Sequence, residues 1–181
     1  MREVKLRLPH TDASTYIHFS VFDENEVYNY DAVELSKMPF IMSDITQIIR
    51  GHEIKGISSV VIIHAIHVYK NDRGNDYGFR LFGDLLRYLD DHWLRDRHKE
   101  KEGNAIILIK ANPLMIDYPD EPDRDTHKKE IASQSKWLEI HGFRNINSLC
   151  NFDNSAPYMY INTDSYDVLH AIIEEEVDKY Y

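Results

Sequence analysis

The chain of 181 residues has a single cysteine, Cys150, so it can form no internal disulfide and no zinc site built on paired thiolates. Glycine and proline are few, at 7 and 6, and there is no repeat or low-complexity tract, which fits neither a fibrous nor a disordered chain. No apolar run reaches the roughly 18 residues of a membrane-spanning helix. Residues 1–9 alternate charged and aliphatic groups where a signal segment would be apolar. A soluble, cytoplasmic protein without a membrane partner is expected. Basic residues are outnumbered, 21 against 31 acidic, and the formal net charge of -10 argues against a sequence-independent grip on nucleic acid. What is present suits one globular domain over residues 1–181, with 43% hydrophobic and 29% charged residues.

Strands are expected first. Val4, Leu6 and Leu8 alternate with Lys5 and Arg7, residues 16–22 are rich in aromatic and β-branched groups, and residues 26–35 suit a third strand completing an antiparallel meander. Ile45, Ile48 and Ile49 suit a short helix ending at Gly51. Residues 59–69 form a nearly continuous β-branched run, the mark of a central strand buried on both faces. From Phe79 the period changes: Phe79, Phe82, Leu86, Leu89 and Trp93 make a helical stripe. Residues 105–111 read as a strand that follows this helix in a crossover unit. A helix is expected over 126–141 with Gly142 as its C-terminal cap, then strands at 143–149 and 158–161 as a hairpin. Leu169, Ile172, Ile173, Val177 and Tyr180 mark an amphipathic C-terminal helix whose apolar face either completes the domain or binds a second copy as a homodimer. The fold class is therefore α/β, with a mixed, mostly antiparallel sheet flanked by helices.

Between the central strand and the long helix lies a polar loop, residues 70–78, with Arg73, Gly74, Asn75, Asp76, Tyr77 and Gly78. Glycines let consecutive N–H groups point inward, and a helix N-terminus adds partial positive charge, which together suit a pyrophosphate. The competing reading is an ordinary strand-to-helix turn that contains two glycines. The charge distribution leans towards the first, because residues 61–120 carry only -1, against -3 before and -6 after them.

This segment resembles the acetyl-CoA signature of the GNAT superfamily of N-acetyltransferases: Arg or Gln, two residues, Gly, one residue, then Gly or Ala, after an apolar strand and opening a long helix. Arg73 and Gly78 match, and Gly74 sits where many members have glycine. The likeness continues in Lys110-Ala111-Asn112-Pro113-Leu114 at the next strand end, and in Trp137-Leu138-Glu139-Ile140-His141-Gly142-Phe143, which is similar to a Tyr-x-x-x-Gly-Phe helix ending. These landmarks span residues 57–150. The resemblance implies an α/β GNAT-like sheet whose central strands splay, and an acyl-CoA-dependent N-acyltransferase taking acetyl-CoA as cosubstrate and an amine as acceptor. It implies pyrophosphate at Arg73, Gly74, Asn75, Tyr77, Gly78 and Phe79, and pantetheine along Ile66 and Val68 and near Asn112. Two residues depart from the pattern. Asp76 replaces the central glycine, where a carboxylate repels phosphate, and Leu138 stands where the family has the tyrosine that protonates the departing thiolate. Trp137 is next to Leu138 and Tyr118, in the preceding loop, is a candidate substitute, which leaves the acid unassigned.

An amine nucleophile must lose a proton, and a histidine with near-neutral pKa suits that task. His67 first and His64 second, both on the central strand, are the candidate bases, although a spacing of three puts them on opposite faces of a regular strand, so that both reach one cleft only through a bulge. The competing reading makes both structural histidines. Opposite faces also argue against a His-x-x-His metal pair, and no metal is expected. Residues 95–101 alternate in sign as a solvated helix end does, and the acidic stretch from Asp117 to Asp125 lacks calcium-loop spacing and suits an exposed loop. The alternative function is a non-catalytic GNAT-fold binding or inhibitory protein whose acidic surface engages a basic protein partner.

Overall fold

The computed structural model describes residues 2–23, 57–89, 91–92, 104–111, 123–145 and 157–162. Its strands are β1 (Arg2–Leu6), β2 (Tyr16–Asp23), β3 (Ile57–His67), β4 (Asn104–Lys110), β5 (Arg144–Asn145) and β6 (Tyr158–Asn162). The helices α1 (Tyr77–Leu89) and α2 (Arg124–Ile140) follow β3 and β4 respectively. The strands form one six-stranded sheet in the order β1-β2-β3-β4-β6-β5. β3 and β4 are parallel and every other neighbouring pair is antiparallel, so this is a mixed α/β sheet. Parallel neighbours need a crossover, and α1 lies within that connection.

β3 is the doubly buried strand that its β-branched run predicts: Val60, Val61, Ile62 and Ile63 are all at most 2% exposed. On one face Phe19, Val61, Ile63, Ile107 and Met159 join Leu81, Phe82, Leu85 and Leu86 of α1 and Leu138 of α2 in a single cluster. The apolar residues of α1 repeat at three and four positions, so one face of the helix seals this side of the sheet. Each fully buried aliphatic or aromatic side chain there contributes about 1.5–3 kcal/mol.

α2 starts at Arg124, two residues earlier than expected, because Asp123 caps it. Asp123 Oδ1 accepts from the amides of Asp125 and Thr126, both at 3.0 Å, and Oδ2 accepts from Thr126 Oγ1 at 2.6 Å. Asp123 and Asp125 thus belong to a helix start and not to an acidic loop. Hydrogen bonds from Thr126, side chain first, hold the Asp123 carboxyl below its ordinary value of 3.8. Asp123→Ala is therefore expected to lower the thermal midpoint at neutral pH. The cap's contribution is present above pH 3.8 and lost as pH falls through the lower folded value, so melts of the two proteins should converge in strong acid. At the other end Gly142, at φ +88°, lets the Phe143 amide reach the Leu138 carbonyl (3.0 Å) and its own amide reach that of Glu139 (3.1 Å), the expected glycine stop.

One expectation needs correction. A meander would place residues 26–35 beside β2, but the edge of β2 away from β1 is held by β3, paired from Tyr16 with His67 to Asp23 with Ser59. The segment 26–35 itself, the 44–50 helix, Trp93, residues 146–149, Cys150 and the C-terminal helix lie outside the described residues. Among the described residues no helix is long and apolar enough to cross a membrane.

Candidate functional site

β3 and β4 pair in one register from Ser59 with Ala105 to Ile63 with Ile109, where their pairing ends; β4 stops at Lys110 and β3 runs on to His67. A cleft of about 510 Å³ opens where this pairing ends. His64, Ala65, Ile66 and His67 of β3 and Val68 just after it form one wall, and Ile109 and Lys110 come from β4. The loop and first turn of α1 add Arg73, Gly74, Asp76, Tyr77, Gly78 and Phe79, and α2 supplies Glu130, Ser133, Gln134, Trp137 and Leu138. Most residues expected at a binding site thus converge on one cavity. Asn75 does not line it, and its side-chain amide donates to the Asp72 carbonyl at 3.2 Å. Asn112 and Tyr118 lie outside the described residues.

Both histidines line the cleft, and β3 is irregular between its core-facing Ile63 and Ile66. β2 pairs His18 with Ala65 but Phe19 with Ile63, so His64 and Ala65 together oppose one residue in a β-bulge. His64 Nε2 lies 2.7 Å from Ser20 Oγ, its ring centroid is 4.8 Å from that of His18, and the His67 ring is 5.5 Å from Tyr16. Tyr16, His18 and Ser20 alternate onto one face of β2, so His64 and His67 share that face. The regular-ladder expectation of opposite faces fails at the extra residue. Sharing a face removes one objection to a metal pair, yet among the described residues no group of three or more His, Cys, Asp or Glu is placed to hold an ion.

The two histidines have different surroundings. His67 is buried, and its Nδ1 donates to the Ser14 carbonyl, tying the end of β3 to the turn before β2. His64 is half-buried. Burial first, then the neighbouring His18, hold its pKa below the ordinary 6.5, against an upward pull from Glu3, whose Oε1 is 2.5 Å from His18 Nε2. His64 is accordingly a neutral imidazole at neutral pH.

No protein-family model, curated protein or solved structure matches this chain.

In the loop, Gly74 has φ +85° and Asp76 φ +54°, both left-handed; glycine adopts that region freely, and aspartate is among the more tolerant of the other residues. The Asp76 carbonyl accepts from the Arg80 amide at 3.0 Å, the first turn bond of α1. Arg73 turns back, its Nε donating to the Val68 carbonyl at 3.1 Å. A Cβ on Gly78 would stand 3.5 Å from the Trp137 indole and 3.7 Å from Val68.

Sequence reasoning missed two parts of the site. The first is a clamp: Thr15, fully buried, donates through Oγ1 to Asp72 Oδ2 (2.6 Å) and accepts from the Tyr69 amide (3.0 Å), so the turn before β2 holds the loop. Thr15→Val keeps the shape but leaves the Tyr69 amide without this acceptor and Asp72 Oδ2 with the Asp12 amide at 3.2 Å in place of two donors, and denaturant unfolding should show a loss of about 1–3 kcal/mol. The second is the α2 wall, where Glu130, Ser133 or Gln134, and Trp137 recur at helical spacing, a signal that could have been read.

Proposed function

We propose that this chain is an acyl-CoA-dependent N-acyltransferase on a GNAT-like sheet, moving an acetyl group from acetyl-CoA to an amine. The observation that carries this reading is the end of β3–β4 pairing after Ile63 and Ile109, with the cleft at that point and the loop of Arg73 and Gly74 beside it. Here an extended pantetheine arm lies along Ile66 and Val68 where ladder pairing has ended, and its thioester comes to His64. His64 is assigned as the base in preference to His67 because His64 is only half-buried, whereas His67 is 5% exposed. When His64 donates from Nε2 to Ser20, its lone pair is on Nδ1 and accepts the amine proton. The amine nitrogen bonds to the carbonyl carbon, the C–S bond breaks, and the amide leaves with free thiolate. The proton passes from His64 to that thiolate, which is a far weaker base than an alkoxide or amide anion, so the leaving group departs without the tyrosine that Leu138 replaces.

Calorimetric titration with acetyl-CoA tests the first step, with one saturable site expected. Release of CoA in the presence of polyamines, aminoglycosides, amino acids or basic peptides tests the second. No binding heat overturns the proposal. Asp76 and Leu138 favour a second reading, a non-catalytic protein of the same fold. Binding of acetyl-CoA without turnover on any acceptor, together with a stoichiometric basic protein partner, would select it.

A further inference from the structure

The charges in the cleft are poorly matched to a polyanion. Four lining side chains carry formal charge at neutral pH, Arg73 and Lys110 against Asp76 and Glu130, and they sum to zero. The two cations are partly occupied: Arg73 Nε bonds the Val68 carbonyl, and Lys110 Nζ lies 5.4 Å from the Tyr158 ring centroid. Asp76 immediately precedes α1, where a carboxylate offsets the partial positive charge that would otherwise attract phosphate. The whole chain adds a net charge of -10. CoA brings a diphosphate and also a phosphomonoester of about -1.5 to -2 at neutral pH.

Glu130 points to what the cleft does suit. Its Oε2 is buried and has no hydrogen-bond partner, a costly state for a carboxylate oxygen that a donor would relieve. Ionised phosphodiesters offer no donor. The pantetheine arm offers two amide N–H groups.

We propose, building on the acyltransferase reading, that the donor is recognised by its pantetheine arm and not by its phosphates, with Glu130 accepting from a pantetheine amide. The substrate class is then acyl-pantetheine thioesters in general, of which acetyl-CoA is one member with no privilege. Asp76 and Glu130 hold the mouth neutral, and the phosphates stay in solvent.

The experiment compares acetyl-CoA, S-acetyl-4′-phosphopantetheine and S-acetylpantetheine by calorimetry at low and high salt. The expected dissociation constants lie within about tenfold of one another and rise little with salt. Glu130→Leu, checked for an unchanged circular dichroism spectrum, should weaken all three by about tenfold or more, while Glu130→Gln, which keeps an acceptor, should retain most of the affinity. Asp76→Gly should tighten the two phosphate-bearing thioesters and leave S-acetylpantetheine unchanged. A loss beyond about tenfold on removing the phosphates, or a folded Glu130→Leu that binds all three as wild type does, overturns the inference while leaving the acyltransferase reading standing. Failure of all three thioesters to bind overturns both.

Discussion

Replacing His64 with alanine is expected to lower turnover by about 10²-fold or more while the affinity for acetyl-CoA stays near that of the wild type. The loss should shrink as pH rises, because more of the amine is then deprotonated without help. In the wild type the acid limb of the rate profile should lie below pH 6.5, since burial and His18 depress the His64 pKa. The same shift has a stability signature. Between the folded pKa and 6.5 the unfolded chain binds the proton and the folded chain does not, so stability falls as pH drops below 6.5, and the penalty is complete below the folded value. Urea unfolding from about pH 7.5 to 5 should show this slope in the wild type and a shallower one in the variant. His67→Ala supplies the contrast. It removes the bond to Ser14, so it should lower the thermal midpoint and cost far less turnover per folded molecule.

The second large effect concerns Gly78. One added methyl meets Trp137 at 3.5 Å and Val68 at 3.7 Å, ordinary contact distances, so Gly78→Ala should bind as wild type and gain up to about 1 kcal/mol of helix stability. Gly78→Leu cannot fit without moving Trp137 or Val68, both of which line the cleft. Calorimetry should then show acetyl-CoA affinity reduced by about tenfold or more in a protein that still folds. Equal binding by the leucine variant would mean that the ligand never passes between α1 and α2.

The elements that were legible in the sequence are those whose side chains repeat with one period. The unbroken run at Val60–Ile63 announced a strand buried twice, and the stripe through Phe82, Leu86 and Leu89 announced α1. The glycine stop at Gly142 was equally plain. The convergence of Arg73, Gly74, Tyr77 and Gly78 with Ile66 and Val68 was anticipated, because a strand, a loop and a helix start in sequence are neighbours in space. Contacts without a period were not legible. Thr15 meets Asp72 across 57 positions, and nothing in either segment marks the partner. Glu130 sits on a helix whose buried set is Leu138 alone, so its cleft-facing stripe looks like any solvated surface. The bulge was only half-visible: Ile63 and Ile66 are both apolar, and His64 and His67 both polar, at a spacing that a strict two-residue alternation forbids on one face.

That bulge gives β3 something like a reading frame. Upstream of it the odd-numbered Val61 and Ile63 feed the cluster under α1, whereas downstream the even-numbered Ile66 and Val68 pack there. Deleting one residue from the pair at 64–65 would restore a plain ladder and leave every later side chain on its own face. A single deletion or insertion elsewhere along β3 would do the reverse, swinging Ile66 and Val68 outward and His67 into the apolar layer. Tolerance to length change is ordinarily a property of exposed loop tips. Here the strand at the centre of the sheet has one internal position where it should hold as well.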